Sequence, residues 1–144
     1  MLPTPTEGED LLSDYRSLGL TLGRHPLALL RRRLDSVGMV SAQHLDMLEH
    51  GAWVRCCGLV LMRQRPGTAG GVTFVTLEDE TGVINLIVWK SVAQRWRQPL
   101  LRARLLDAQG QLQRQGSVMH LIVRKLVDRT ALLGRLALRS RDFH

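Results

Sequence analysis

The densest group of carboxylates in the sequence is Glu78, Asp79 and Glu80, and carboxylates are the groups that could hold catalytic metal ions. Phosphoryl transfer commonly uses two divalent ions about 4 Å apart, held by ligands from separate elements. Here the three acids are consecutive and precede Thr81 and Gly82, a composition typical of a tight turn in which Asp79 accepts backbone N–H groups. We therefore expect a structural turn and no metal site.

The other residues with catalytic side chains lack the spacing that catalysis requires. The five histidines form neither an HxH nor an HxxxH pattern, and no cysteine lies at zinc-site spacing from them. No serine lies in a GxSxG motif. Cys56 and Cys57 are adjacent and on a strand would point to opposite faces, so we expect both to be packing residues. The sequence predicts no enzymatic activity for this chain alone and no cofactor.

Cations are abundant and unevenly distributed. The 144 residues carry a formal net charge of +7. Residues 51–144 contain fifteen Lys and Arg against six acids, a net charge of +9, whereas residues 1–50 contain five Arg against seven acids, a net charge of −2. This asymmetry favours an anionic partner for the second part. Within the first part, the run Arg31–Arg33 is expected to be a solvated face.

The elements that would position these cations change character near residue 51. Before it, apolar residues at helical spacing predict short helices at 10–18, from Pro26 to Gly38, and after an N-cap at Ser41. From Trp53 onward, apolar and polar residues alternate as in strands. The predicted strands are Trp53–Met62, Val72–Leu77, Val83–Trp89, Arg104–Arg114 and Val118–Val127, and the predicted helices are Lys90–Leu101 and Ala131–Leu138, the latter capped by Thr130.

Five strands with a helix between the third and the fourth are the plan of the OB-fold barrel. Gly58 and Gly110 lie inside two of the predicted strands and favour the bulges or strong coiling that a small barrel needs. An SH3-like barrel or an open sandwich would lack the helix after the third strand. We predict a mainly β protein with a five-stranded Greek-key OB-fold barrel at 51–129, a helical lead-in at 1–50, and a C-terminal helix and tail at 130–144.

Several motifs resemble one known family. They are the stretch Gly58–Trp89 with its Arg63–Ala69 loop, the upstream segment Asp14–Leu27, and the ending Ser140–His144. The first is similar to the C-terminal OB-fold region of the error-prone bacterial C-family DNA polymerases, relatives of the polymerase III alpha subunit. The second is similar to the segment that precedes the OB domain in that family, and the third to the family's C-terminus. The pattern Leu77–Gly82 is more general and is also similar to anticodon-binding domains of class II tRNA synthetases.

The resemblance implies a nucleic-acid-binding module of an enzyme of translesion synthesis and DNA repair. Members of the family are far longer, because they also contain a polymerase palm with metal-binding carboxylates, fingers and further domains. Those domains do not fit into 144 residues. We therefore expect this chain to be a shortened member without polymerase activity of its own.

Single-strand binding needs cations for the phosphates and flat side chains for the bases. In an OB-fold these groups lie on strands two and three and on the loops joining strands one to two and four to five. Phe74, Asn85 and Trp89 share the mixed face of the predicted hairpin, although Phe74 could equally pack inside the barrel and Trp89 could be a core residue. The candidate phosphate-binding cations are Arg63, Arg65, Lys90, Arg95 and Arg114, and Arg124 could equally be a solvent-facing edge charge.

The expected partner is single-stranded DNA, with RNA as the alternative. The rival class is a protein-interaction module, because OB barrels also bind proteins and Gln43–Leu48 is similar to a sliding-clamp-binding peptide. The sliding clamp or accessory mutagenesis proteins would then be the partners. No apolar run is long enough to cross a membrane, and the first residues are acidic rather than basic, so we expect a cytoplasmic protein with no membrane partner.

Overall fold

The computed structural model describes residues 24–67 and 70–142, with side chains through residue 136, so the predicted helix at 10–18 lies outside the described residues. The order of elements agrees with the predicted order. The elements are α1 (Pro26–Ser36), α2 (Ala42–Leu45), β1 (Trp53–Gln64), β2 (Thr73–Glu78), β3 (Val83–Val88), α3 (Lys90–Arg95), α4 (Arg97–Arg102), β4 (Leu105–Gln115), β5 (Val118–Asp128) and α5 (Thr130–Asp142).

The five strands form a closed barrel in the order β1-β2-β3-β5-β4, with β4 pairing back onto β1. All pairs are antiparallel except β3 and β5. Together with the helices between β3 and β4, this topology confirms the predicted OB-fold barrel. The β3–β5 pairing is the shortest of the five and consists of Leu86 with Leu121 and Ile87 with Ile122.

The alternation in the β2–β3 hairpin sorts side chains as predicted. Val75, Leu77 and Leu86 are buried inside the barrel, whereas Phe74 and Asn85 lie on its outer surface. The reason is the two-residue period of a strand, which sends every second side chain to the same face.

Apolar side chains form two clusters, one inside the barrel and one between its outer wall and the helices α1 and α5. Cys56 belongs to the first and Cys57 to the second, so the adjacent thiols point to opposite faces as predicted. Burial raises the pKa of both thiols, that of Cys57 to about 12. Neither thiol is therefore set up as a nucleophile. Leu27, Leu34 and Leu133 complete the second cluster at full burial.

Glycine is required at two places where strands approach closely. A Cβ at Gly110 would lie 2.0 Å from the carbonyl oxygen of Ile122, and a Cβ at Gly58 would lie 2.9 Å from the Cβ of Leu77. The bulge that Gly110 predicted is carried by its partner strand, because β5 contains one extra residue, Arg124, between the partners of Gln109 and Gly110.

Two predicted boundaries are wrong for identifiable reasons. The single helix predicted at Lys90–Leu101 is two short helices, with a break at Trp96 (φ −111°, ψ 37°). Pro99 has no N–H to continue a helix from α3, but it fits within the first turn of a new one. Strand β1 continues to Gln64, two residues beyond the predicted end, so Arg63 lies in a strand and not in the loop.

The start of the last helix also differs from the prediction. The hydroxyl of Thr130 accepts hydrogen bonds from the backbone N–H groups of Arg104 and Leu105, at 2.9 and 3.3 Å, and so ties α5 to β4. The carboxylate of Asp128 accepts from the N–H of Thr130 at 2.9 Å and takes the capping role. No helix in the described part of the chain is long and apolar enough to span a membrane.

Candidate nucleic-acid interface

One end of the β2–β3 hairpin is closed by Asp79, whose carboxylate is fully buried. Its Oδ1 accepts from the N–H groups of Thr81 at 2.8 Å and Gly82 at 3.1 Å, which sets the turn as predicted. Its Oδ2 accepts from the N–H of Ala42 at 2.7 Å and from the guanidinium of Arg31 at 3.3 Å. The carboxylate therefore joins the hairpin to the lead-in helices.

The neighbouring acids are held by the same helix. Arg31 donates two hydrogen bonds to Glu80, at 2.7 and 2.8 Å, and His25 lies 3.1 Å from Glu78. The expectation of a solvated Arg31–Arg33 face is thus wrong for its first residue, whose partners lie nearly fifty positions later. Burial alone would raise the pKa of Glu80, but the hydrogen bonds from Arg31, its own backbone contact and the nearby positive charges outweigh it and lower that pKa.

The opposite end of the hairpin is basic. A pocket of about 420 Å³ lies between the end of β1, the start of β2, the described parts of the β1–β2 loop (residues 65–67 and 70–72) and the helices α3 and α4. None of the described residues that line it is acidic. The side chains of Arg65, Lys90 and Arg97 form no hydrogen bond or ion pair with any other described residue. The lining also includes Arg63, Gln64, Gly71, Thr73, Ala93, Gln94, Leu100 and Leu101.

The predicted contact residue Arg63 has a different environment from its neighbours. Its Nε donates to the carbonyl of Leu100 at 2.5 Å, and its terminal nitrogen donates to the carbonyl of Ala103. These bonds satisfy carbonyls at the end of α4. Burial and the charge of Arg104 lower the pKa of Arg63 to about 10, against a smaller opposing effect of Asp128. Arg63 therefore fixes the back of the pocket and leaves the exposed contacts to the other cations.

The aromatic candidates lie on the outer surface of the barrel. Phe74 is 36% exposed and pairs across the strands with Ile87, while Trp89 is 51% exposed at the end of β3. The alternatives that Phe74 packs inside the barrel and that Trp89 is a core residue are wrong, because the inward positions of the hairpin are occupied by aliphatic side chains. Asn85 is exposed two positions before Ile87 on the same face of β3.

A groove of about 310 Å³ continues from Trp89 across β5 towards β4. Ile122, which is the neighbour of Ile87 in the parallel pair, lies in it, and so does Arg124. The sequence pattern did not predict this groove, in which Arg124 lies on the barrel wall and not at a sheet edge. The available signal was Gly110, which lies opposite the bulged segment that contains Arg124. The remaining lining residues are His50, Gly51, Gln111, Leu112 and Gln113.

Two further predicted cations interact within the protein. The guanidinium of Arg114 donates to the carbonyls of Leu48 at 2.8 Å and Leu45 at 3.1 Å, and also to that of Asp46, so it holds the end of α2. Arg95 lies over the ring of Trp96, 5.4 Å from its centre. Arg95 thus keeps an exposed charge beside the barrel, whereas the donors of Arg114 are directed into the fold.

The predicted residues are therefore divided between two environments. Arg65 and Lys90 line the pocket, and exposed Phe74 and Trp89 are the chain neighbours of its lining residues Thr73 and Lys90. Arg114 is bonded within the fold, and neither Arg65 nor Lys90 is paired with another described residue. Among the described residues, no group of three His, Cys, Asp or Glu is placed to hold a metal ion.

This barrel, with cations and aromatic side chains on its outer face, has the features of an oligonucleotide-binding domain. Residues 54–128 match the family described as tRNA_anti-codon, the OB-fold nucleic acid binding domain. The chain belongs to this family of OB-fold nucleic-acid-binding domains.

Curated relatives give a more specific similarity. The chain is 57% identical over 143 residues to the error-prone DNA polymerase of Alkalilimnicola ehrlichii and 52% identical over 143 residues to that of Dechloromonas aromatica. Each match covers 99% of this chain and 14% of the polymerase, so the chain spans about one seventh of the length of these relatives. The resemblance to error-prone DNA polymerases is confirmed.

Solved structures support the fold. The chain is similar to asparaginyl-tRNA synthetase from Pyrococcus horikoshii, with a TM-score of 0.53 and 20% identity over 63% of this chain and 22% of the synthetase. It is also similar to aspartyl-tRNA synthetase from Entamoeba histolytica, with a TM-score of 0.51 and 10% identity over 61% of this chain and 20% of the synthetase. At these identities the likeness concerns the fold alone.

Proposed function

We propose that this domain binds single-stranded DNA across the outer face of β2 and β3 and does no chemistry itself. The observation that carries the proposal is that exposed Phe74 and Trp89 directly follow or precede residues that line the basic pocket. The pocket cations Arg65, Lys90 and Arg97 form no ion pair with another described residue. Aromatic faces stack on bases without regard to sequence, and cations contact the phosphates between them. The same residues would be a poor surface for an acidic metal centre or a nucleophile.

DNA is the preferred nucleic acid because the similar relatives are named error-prone DNA polymerases. Within such an enzyme, the domain would hold the template strand during translesion synthesis and DNA repair. The catalytic carboxylates would lie elsewhere, because Asp79 and Glu80 are already bonded to backbone N–H groups and to Arg31. Without these hydrogen bonds, the turn between β2 and β3 would be destabilised.

A partner protein is the rival proposal, and the burial of one residue argues against its most specific form. Leu45, inside the segment Gln43–Leu48 that is similar to a clamp-binding peptide, is fully buried in the barrel core. A clamp could reach that side chain only if α2 detached from the barrel. We therefore propose nucleic acid as the partner of the basic surface.

The test is a titration of a fluorescent single-stranded oligonucleotide at several salt concentrations. Three to four phosphate contacts predict a slope of log K against log salt of about −2 to −3, from roughly −0.7 per contact. Arg65→Gln with Lys90→Gln should flatten this slope by about 1.4. The matched control, Arg32→Gln with Arg33→Gln, removes the same charge from exposed positions on α1 and should leave the slope within about 0.3 of its original value.

Competition with unlabelled RNA of the same length identifies the preferred strand. Tighter binding of DNA supports the proposal. Tighter binding of RNA would transfer the function to RNA recognition, and the absence of binding at low salt would refute a nucleic-acid function for this surface.

A further inference from the structure

The pocket at the basic end of the hairpin carries more positive charge than is needed to bind an internal phosphodiester. Arg65, Lys90 and Arg97 line it with unpaired side chains, and Arg63 forms its back. An internal phosphodiester carries one negative charge, whereas a terminal phosphomonoester carries about −1.5 to −2 at neutral pH. The charge of the pocket is thus better matched by a strand end.

Arg63 gives a separate reason to expect an anion there. Its guanidinium is mostly buried, and both of its hydrogen-bond partners are neutral carbonyls. The positive charge of Arg104 further disfavours the charged form of Arg63. The Nε of Arg104 is itself buried and has no hydrogen-bond partner among the described residues. Burial of a cation is unfavourable, and Asp128 offsets only part of this cost at Arg63. An anion in the pocket would lower the electrostatic free energy of all these cations together.

Two sides of the pocket are formed by the residues around Gly71 and by Leu100. On one side, the loop backbone at Gly71 lies so close to Lys90 that a Cβ there would be 3.1 Å from the Cγ and Cδ of the lysine. At the back, Leu100 is buried, and the adjacent carbonyls are bonded to Arg63. Gly71 and Leu100 thus bound two sides of the pocket, and Lys90 and Arg97 lie between them at its rim.

We propose that this pocket binds the terminal phosphomonoester of a nucleic-acid strand whose bases stack on Phe74 and Trp89. The inference rests on the proposed function and adds the group that the basic end recognises. Arg65 and Arg97 supply planar forks for the phosphate oxygens, and Lys90 supplies a point charge held in place by the loop. Gly71, with φ +86°, is the residue that allows the loop to lie against the lysine.

The experiment compares three single-stranded DNA oligonucleotides of one sequence and length, with a 5′-phosphate, a 3′-phosphate or hydroxyl groups at both ends. At fixed salt, we expect one of the phosphorylated strands to bind about tenfold more tightly than the hydroxyl strand. Lys90→Gln with Arg97→Gln should reduce this ratio to about one, while Arg32→Gln with Arg33→Gln should preserve it. Both pairs replace exposed side chains, so folding is retained.

A pH series gives a second readout. The second ionisation of a phosphomonoester has a pKa near 6, so the preference should shrink as the pH falls from 7 to 5, while the affinity of the hydroxyl strand changes less. Equal affinities of all three strands at pH 7 would overturn this inference and leave the proposed function standing. Absence of binding by every strand at low salt would overturn both.

Discussion

The two ends of the β2–β3 hairpin are chemically opposite. At the turn, Asp79 and Glu80 are bonded to Arg31 and to backbone N–H groups, so every charge has a partner inside the fold. At the other end, Lys90 and Arg97 have no partner among the described residues. Only six strand residues separate the two environments. Charged side chains that stabilise the fold therefore lie at one end of the β2–β3 hairpin, and charged side chains that can contact a ligand lie at the other.

The same division holds for arginines elsewhere in the barrel. Arg55 and Arg129 both bond the buried carboxylate of Asp107, at 2.9 and 3.1 Å. Arg114 bonds carbonyls at the end of α2. The excess of positive charge in the sequence is therefore only partly available to an external anion. Arg65, Lys90 and Arg97 belong to the available part.

The largest expected effect is the loss of the acidic turn. Asp79→Ala removes the acceptor for three backbone N–H groups and should lower the free energy of unfolding by about 3 kcal/mol, because buried partners are left unsatisfied. Urea denaturation measures the change. Glu49→Ala, an exposed acid without a side-chain partner among the described residues, should change it by less than about 0.5 kcal/mol. An unchanged unfolding midpoint for the Asp79 variant would contradict the structural role of this end.

The next effect distinguishes the structural cation of the basic end from its exposed neighbours. Arg63→Gln removes donors from the carbonyls of Leu100 and Ala103 and should cost about 2 kcal/mol of stability. Arg65→Gln should cost less than about 0.5 kcal/mol. Thermal and urea unfolding of the two variants provides the comparison. Equal stabilities would show that the basic end is uniform and that Arg63 is as free as Arg65.

A smaller change is expected in binding alone. Phe74→Ala and Trp89→Ala should each weaken single-stranded DNA binding by about 1 kcal/mol, since each removes a stacking surface. Met47→Ala, at a highly exposed apolar position near α2, is the control and should leave the affinity unchanged. Isothermal titration at constant salt gives the affinities. Identical losses for all three variants would point to a general effect on the protein surface.

The smallest effect is a pH dependence confined to the acidic end. The pKa of Glu80 in the folded state lies below its ordinary value of 4.5, so the stability from its contact with Arg31 is fully present above pH 4.5. It is lost as the pH falls through the lowered pKa. Unfolding free energies measured from neutral pH down to about pH 3 should show this loss, and Arg31→Gln should reduce it. A variant with the same acid sensitivity as the unmodified protein would refute the assignment.

Much of the fold follows from local sequence patterns. The alternation around Phe74 and Val75 gave the correct faces of β2, and Gly110 marked a close approach of two strands. The break before α4 was also visible in principle, because Pro99 cannot continue a helix that starts at Lys90. The division at 50/51 and 129/130 stays a prediction. Since α1 and α5 pack on one cluster with the barrel wall, we propose that all three fold as a unit.

The assignment of individual cations could not be predicted in the same way. Arg31 donates to Glu80, which lies 49 residues later in the sequence, and Arg63 donates to carbonyls at the end of α4, which lie nearly forty residues later. Such partners depend on how the helices pack against the closed barrel, and this packing cannot be predicted from residue composition or from the spacing of residues in the sequence. The exposure of Arg65 and Lys90 could be predicted because one lies in a loop and the other at the start of a helix. Their role in binding stays a prediction.

The adjacent thiols Cys56 and Cys57 can report separately on the opening of the two apolar clusters. One is covered by the barrel interior and the other by α1 and α5, although they are neighbours in sequence. Pulsed alkylation during mild denaturation can be followed by mass analysis of the peptide that contains both cysteines. This measures when each thiol becomes exposed. If helix release precedes barrel opening, singly labelled peptide carrying the label at Cys57 accumulates first; if the molecule opens in one step, both labels arrive together.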